Sequence, residues 1–146
     1  MLSVFGGKIT TARHLAGEVM DRLGIGGFRF TRRQPLPGGD IDQAFNVALI
    51  PLALWMPEEL ILRLARAYGT RLKDLVGNAV HLRDMGRHFG AGLYEREVRY
   101  LMDVEFAKSA DDILWRRTKL GLKLTPKEVK ALDAWIRNNA SSLCRD

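Results

Sequence analysis

The 146-residue chain has one cysteine, Cys144, only three histidines, and no uninterrupted apolar run of the roughly 18 residues that a membrane-crossing helix requires. A single thiol excludes an internal disulfide and suits a reducing compartment, so a cytoplasmic setting is expected. The opening residues lack the basic segment and long apolar stretch of a secretory leader. His81 and His88 lie seven apart with no cysteine or carboxylate pattern around them that matches a zinc site. Both are expected as surface histidines, and no metal is expected. Acid is also in short supply: 17 Asp and Glu against 23 Lys and Arg leave a net charge of +6. That excess narrows the partners to nucleic acid, an anionic membrane surface or phosphorylated metabolites, and says nothing of the fold.

Two nucleotide-binding motifs are missing as well. A P-loop needs G-x-x-x-x-G-K-[ST], but Leu2 stands where its first glycine belongs and Ile9 where its hydroxyl belongs. The dinucleotide fingerprint G-x-G-x-x-G must follow a strand, whereas Gly24-Ile25-Gly26-Gly27 follows a helical pattern.

What is present begins with SVFGGKITTARHLAGEVMDRLG, Ser3 to Gly24. It reads as a short strand from Leu2 to Phe5, a turn at Gly6 and Gly7, and a helix with Leu15, Val19 and Leu23 on one side that stops at Gly24. A glycine turn running into a helix N-terminus gathers unpaired N–H groups at one point, an arrangement suited to holding negative charge. One strand cannot form a sheet alone. Leu2, Val4 and Phe5 therefore need neighbours from elsewhere, the turn from Gly6 to Thr11 is half a site, and the exposed strand offers a homodimer contact.

Three regions follow from the change in texture: residues 1–23, a connector over 24–39 carrying Arg29, Arg32 and Arg33 without an acid, and an all-helical domain over 40–146. The fold class is mainly α. In MPEELILRLARAYG, Pro57 takes the first helical position, Leu60, Ile61, Leu64 and Ala65 share a face, and Gly69 is the stop. Thr70 is expected to cap a short helix ending at Gly77. Between Ala91 and Phe106, Leu93, Val98, Leu101 and Met102 mark a buried side. Ser109 with Asp112, and Thr125 with Pro126 and Glu128, carry helix-start signatures, the second followed by the stripe Val129, Leu132 and Ile136. Trp55, Trp115 and Trp135 read as packing aromatics, with a nucleic-acid stacking platform as the alternative. Arg116, Arg117, Lys119, Lys123, Lys127 and Lys130 against Glu128 give +5 within fifteen residues. That run is either a solvated face, a juxtamembrane patch or a nucleic-acid surface.

The motifs FGGK-x-TT-x-R, LPGGDI, YGTR, LVGN, LYEREVRYLMDVEFAKSADDILWRRTKLGL and the last capped helix, in this order, closely resemble the C-terminal part of aerobic, FAD-dependent glycerol-3-phosphate dehydrogenases. The resemblance covers essentially the whole chain. It implies the last strand and helix of an FAD-binding domain followed by a helical cap, in an enzyme that oxidises sn-glycerol 3-phosphate to dihydroxyacetone phosphate. Electrons would pass through the flavin to quinone at the inner face of the cytoplasmic membrane, or to oxygen in related oxidases. The resemblance also assigns the anion at the turn as the N1–O2 edge of the reduced flavin, held by the backbone of Gly6, Gly7, Lys8, Ile9 and Thr10. Lys8 matches the family lysine beside flavin and substrate; it either holds substrate or favours the anionic flavin. Thr10 and Thr11 match the paired threonines, Arg13 is expected in a structural ion pair, and His14 lies outside the motif. Arg116 and Arg117 belong to the family's arginine pair and are assigned a bridge from the cap to the FAD domain. The remaining family residues for cofactor and substrate lie outside this sequence, so the chain alone is expected neither to retain FAD nor to turn over substrate. The contrasting expectation is a noncatalytic basic helical module for nucleic acid or an anionic surface.

Overall fold

The computed structural model describes residues 2–5, 7–25, 31 and 33–143, with side chains through Asn139. Gly6, Arg29, Arg32 and Cys144, singled out in the sequence, lie outside the described residues. The chain divides into two compact units, Met1–Leu36 and Pro37–Asp146.

In the first unit, residues 2–5 pair with no strand among the described residues. The reason is the absence of a neighbour: an extended segment becomes a strand only when another backbone supplies its hydrogen bonds. A 3₁₀ turn, Ile9–Thr11, leads into α1, Ala12–Arg22. At its end the Ile25 N–H donates to the Met20 carbonyl and the Gly24 N–H to the Asp21 carbonyl, the paired bonds of a Schellman cap with Gly24 left-handed at φ +67°. None of α1 is buried, and Met20 and Leu23 stand exposed.

The second unit is mainly α, as its sequence indicates. It contains α2 (Gln43–Leu49) continued by a 3₁₀ segment (Ile50–Leu54), α3 (Glu58–Tyr68), α4 (Leu72–Val76), α5 (Glu95–Asp103) and α6 (Pro126–Leu143). Its core joins Leu60, Ile61 and Leu64 of α3 to Leu72 and Leu75 of α4, Val98 and Leu101 of α5, and Leu132 and Ile136 of α6. The apolar stripes read from spacing are thus the ones that meet.

Local corrections are instructive. Pro57 precedes α3 with ψ 138°, and its carbonyl accepts from Leu60 and Ile61; it stands one position before the helix. Thr70 does not cap α4. Its hydroxyl donates to Asp40 and its N–H to the Gly38 carbonyl at 3.1 Å, fastening the LPGGDI segment to the end of α3. His88 sits on a strand and not on a helix face shared with His81, because β1 (His88–Gly90) and β2 (Leu93–Tyr94) form a hairpin immediately before α5. Its glycines flank Ala91, which takes φ +49°. Both histidines are exposed, as expected.

Ser109 and Asp112 form their reciprocal bonds, but the helix they open widens into a π turn over Asp112–Arg117, with the Thr118 N–H reaching back five residues to the Ile113 carbonyl at 2.9 Å. This wide turn lays the Trp115 ring over Gly121, where an added Cβ would come within 2.6 Å of it. Trp55 and Trp135 pack against the core, while Trp115 is exposed. Thr125 and Glu128 build the capping box expected of α6, with the Thr125 N–H 2.7 Å from the Glu128 carboxylate.

These caps make the second unit acid-sensitive. The Lys108 and Ser109 groups around Asp112, the Val80 and His81 N–H groups at Asp84, and the Thr125 N–H at Glu128 all hold their carboxyls below the ordinary values of 3.8 for Asp and 4.5 for Glu. Because the folded values are the lower ones, the stabilisation is complete above the ordinary range and is lost as pH falls through the folded values. Thermal melts of the second unit should therefore fall below about pH 4.5, and Asp112→Asn should flatten part of that dependence.

Candidate functional site

Two clusters of side chains stand out, one in each unit. The first is the turn Gly7 to Thr11. Gly7 has φ +143°, a conformation that L side chains rarely adopt, and an added Cβ would lie 3.4 Å from Leu15 Cδ2. Lys8 is extended (φ −81°, ψ 141°), and its carbonyl accepts both the N–H and the hydroxyl of Thr11 at 2.9 Å. The N–H groups of Ile9 and Thr10 therefore stand at the beginning of the helix, where no preceding turn supplies a partner. No acidic side chain occupies the first turn to neutralise the positive end of the helix dipole.

The turn is open. Lys8, Ile9 and Thr10 are exposed, with Ile9 and Phe5 at 91% and 92%. This juxtaposes unpaired N–H donors, a lysine and bare apolar side chains, an arrangement with the chemistry to meet a negatively charged group. His14 pairs with Glu18 at 3.3 Å on the exposed face of α1. Thr11 is spent on the turn itself, so of the two threonines Thr10 is the one whose hydroxyl the turn does not use.

Arg116 and Arg117 are both engaged within the second unit. Arg116 pairs with Asp112 at 2.8 Å, and Arg117 donates to the Glu105 carbonyl at 2.8 and 3.2 Å while its Nε lies 3.6 Å from the Glu105 carboxylate. Of the pair, Arg116 is the more exposed.

The second cluster went unseen in the sequence. Glu97 is 1% exposed inside the core, where its carboxylate accepts Arg63 Nη1 at 2.8 Å, Arg63 Nη2 at 2.6 Å and the Tyr68 hydroxyl at 2.8 Å. Arg63 Nη2 also donates to the Gly92 carbonyl at 2.7 Å, linking α3, the hairpin and α5. Burial, with the Glu97 charge beside it, pushes the Tyr68 hydroxyl well above its ordinary pKa, so it remains a donor. Arg63 Nε is buried without a hydrogen-bond partner. A signal for this cluster exists only in retrospect: Glu97 falls beside Val98 and three before Tyr100, on a helix face that should be apolar. Arg96 makes a separate tie, donating to the carbonyls of Val76 and Asp84 and to Asn78. In both arrangements the hydrogen bonds run within the second unit, with Arg63 Nε the one buried atom of the cluster left over.

Among the described residues, no group of three or more His, Cys, Asp and Glu could hold a metal ion, and no helix is long and apolar enough to cross a membrane.

Comparison with known proteins agrees with the resemblance. The chain is 47% identical to D-erythritol 1-phosphate dehydrogenase of Brucella abortus, over 94% of this chain and 29% of that protein. It is 43% identical to glycerol-3-phosphate dehydrogenase of Pseudomonas aeruginosa, over 94% of this chain and 28% of the relative. Identity to the aerobic glycerol-3-phosphate dehydrogenase of Escherichia coli is 39%, over 93% and 28% respectively. The chain thus spans less than a third of the length of these relatives. Residues 29–144 match the family described as the C-terminal domain of alpha-glycerophosphate oxidase, and the chain belongs to that family.

Proposed function

We propose that this chain acts as the C-terminal portion of an FAD-dependent dehydrogenase that oxidises sn-glycerol 3-phosphate to dihydroxyacetone phosphate. The observation that carries the proposal is the open, acid-free turn at Gly7 to Thr10, found in a chain similar along nearly its whole length to dehydrogenases of polyol phosphates. FAD, when bound, supplies the two-electron acceptor. The N–H groups of Ile9 and Thr10, with Gly7 and Lys8, hold negative charge at the flavin edge before solvent reorganises, an effect worth about 2.7–4 kcal/mol per donor in a well-studied oxyanion hole. The Lys8 cation either holds the substrate phosphate or adds to that stabilisation. The same reading assigns Gly6, by its place in the sequence motif, to the cofactor-binding residues.

The FAD-binding region of the parent is the partner this reading requires, with Arg116 and Arg117 contacting it through what their internal pairs leave free. On this reading the acceptor for the electrons would be quinone at the inner face of the cytoplasmic membrane. The chain alone neither retains FAD nor turns over substrate, because one turn supplies one edge of the site. A second substrate has specific support: one relative is named for D-erythritol 1-phosphate, so a longer polyol phosphate is the competing choice.

The test is a chimaera in which this chain replaces the matching region of the Pseudomonas aeruginosa relative, assayed for dye reduction with each polyol phosphate. Activity is expected in the chimaera and in neither part alone. Lys8→Ala should lower kcat/KM by on the order of a hundredfold, the scale of one lost preorganised charge contact. A folded, flavin-loaded chimaera that is inactive on both substrates, or one indifferent to Lys8→Ala, overturns the reading.

A further inference from the structure

A groove of about 1070 Å³ lies between α3 and the β hairpin of the second unit, lined by Leu60 and Tyr94 and by the charged side chains of Glu59, Arg63, Arg66 and Lys123. Its charges do not cancel. Arg63 is matched by Glu97, which leaves Arg66 and Lys123 against the single carboxylate of Glu59. Arg66 is set apart from its neighbours, because every other arginine described in this unit meets a carboxylate, a carbonyl, a hydroxyl or an aromatic ring. Arg66 and Lys123 meet none among the described residues.

We propose that this groove binds a soluble phosphate monoester, with Arg66 and Lys123 on the phosphate and the organic group over Leu60 and Tyr94. A guanidinium presents a planar fork of donors that matches two phosphate oxygens, and an ammonium adds a point charge. A phosphate monoester carries about 1.5–2 negative charges at neutral pH, so it answers both cations, whereas a carboxylate would answer one. Inorganic phosphate is too small to cover the apolar lining, so the ligand carries an organic body. The two walls are fixed before any ligand arrives. Arg63 donates to Glu97 of α5 and to the Gly92 carbonyl of the hairpin, which holds α3 and the hairpin together and lowers the ordering cost of binding. The groove lies wholly in the second unit and is separate from the turn at Gly7 to Thr10.

Amide NMR shifts of the isotope-labelled full chain, titrated with phenyl phosphate and with inorganic phosphate, read occupancy at Leu62, Gly92 and Tyr94. Phenyl phosphate should saturate these shifts and bind at least about tenfold more tightly than inorganic phosphate, because its ring is buried on the apolar lining. Arg66→Ala and Lys123→Ala change exposed side chains, so helical circular dichroism should remain, and each should weaken binding by about tenfold. Glu59→Gln removes the opposing charge and should tighten it by about threefold. Lys108→Ala removes an exposed lysine elsewhere and should change nothing. Lys8→Ala should also leave the groove's affinity unchanged, which separates failure of this proposal from failure of the enzymatic one. Vesicles of phosphatidic acid present the same monoester on a surface, and flotation with them tests that source; none is expected. Shifts that never saturate, equal weakening by Lys108→Ala, weaker binding in Glu59→Gln, or a preference for the vesicles would each overturn the proposal.

Discussion

Gly69→Ala should unfold the second unit. Gly69 sits at φ 54°, ψ −134°, a conformation essentially reserved for glycine, and an added Cβ would lie 1.8 Å from the Gly38 carbonyl oxygen. Neither side can yield easily. The Gly38 carbonyl accepts the Thr70 N–H, and Gly38 is itself left-handed at φ +84°, with its own Cβ direction 2.4 Å from the Tyr68 carbonyl oxygen. Overlap of backbone with backbone has no rotamer to relieve it. The expected loss is about 4 kcal/mol or more, in the range reserved for a named structural failure. Urea titration followed by helical circular dichroism measures it. Gly92→Ala provides the control within the same unit: φ is again positive, at +74°, but the added Cβ meets only ordinary contacts, Leu60 Cδ1 at 3.6 Å and Arg63 Nε at 3.7 Å. Its cost should be only about 1–2 kcal/mol, the left-handed penalty alone. Equal losses at the two sites would show that conformation, and not the Gly38–Gly69 contact, decides the outcome.

The second large effect is expected at Glu97. Removing a buried carboxylate from Arg63 and Tyr68 strands a cation and a hydroxyl in the core, and breaking such a pair costs about 3–5 kcal/mol. Glu97→Ala should fall near the lower end, about 3 kcal/mol, because the Arg63 side chain keeps 24% of its exposure and can draw on solvent. The informative comparison removes the whole cluster. Arg63→Met, Tyr68→Phe and Glu97→Leu together leave no orphaned charge and should recover most of the loss, since buried ion pairs offset much of their own attraction by desolvation. Thermal unfolding of the single and triple variants distinguishes the cases. A triple variant no more stable than Glu97→Ala would mean that the cluster stabilises the core outright.

The two expectations differ in how visible they were in the sequence. Gly69 was readable as the stop of α3, since a glycine after the last apolar repeat is a local signal. That Gly38 presses against it was not, because the two lie thirty-one positions apart and no pattern relates them. The same division holds for Thr70. Its residue type suggested a cap, and the chain folding back at Asp40 claimed the hydroxyl first.

The turn of the candidate site shows the same boundary. Gly7, Lys8 and the following helix are sequence neighbours, so a helix N-terminus with unpaired donors could be read from their order. Whether residues 2–5 pair as a strand is a different matter, because strand partners are not neighbours in sequence, and among the described residues none lies against them. Local signals also gave the Ser109–Asp112 and Thr125–Glu128 caps and the buried sides of α3, α5 and α6. By contrast, the β hairpin was hidden in two very short strands around Gly90 and Gly92, and the π turn has no periodic signature.

The sequence by itself determined where most helices start and stop, which stripes are buried, the family resemblance and the lysine of the candidate site. These depend on contacts within a few residues or on motifs held contiguous along the chain. Tertiary structure alone decided that Glu97 is a buried ion-pair partner, that Gly38 and Gly69 must both lack side chains, and that Arg66 and Lys123 line one groove. Each of those depends on which distant segment arrives beside it, and burial or charge pairing is settled only on arrival.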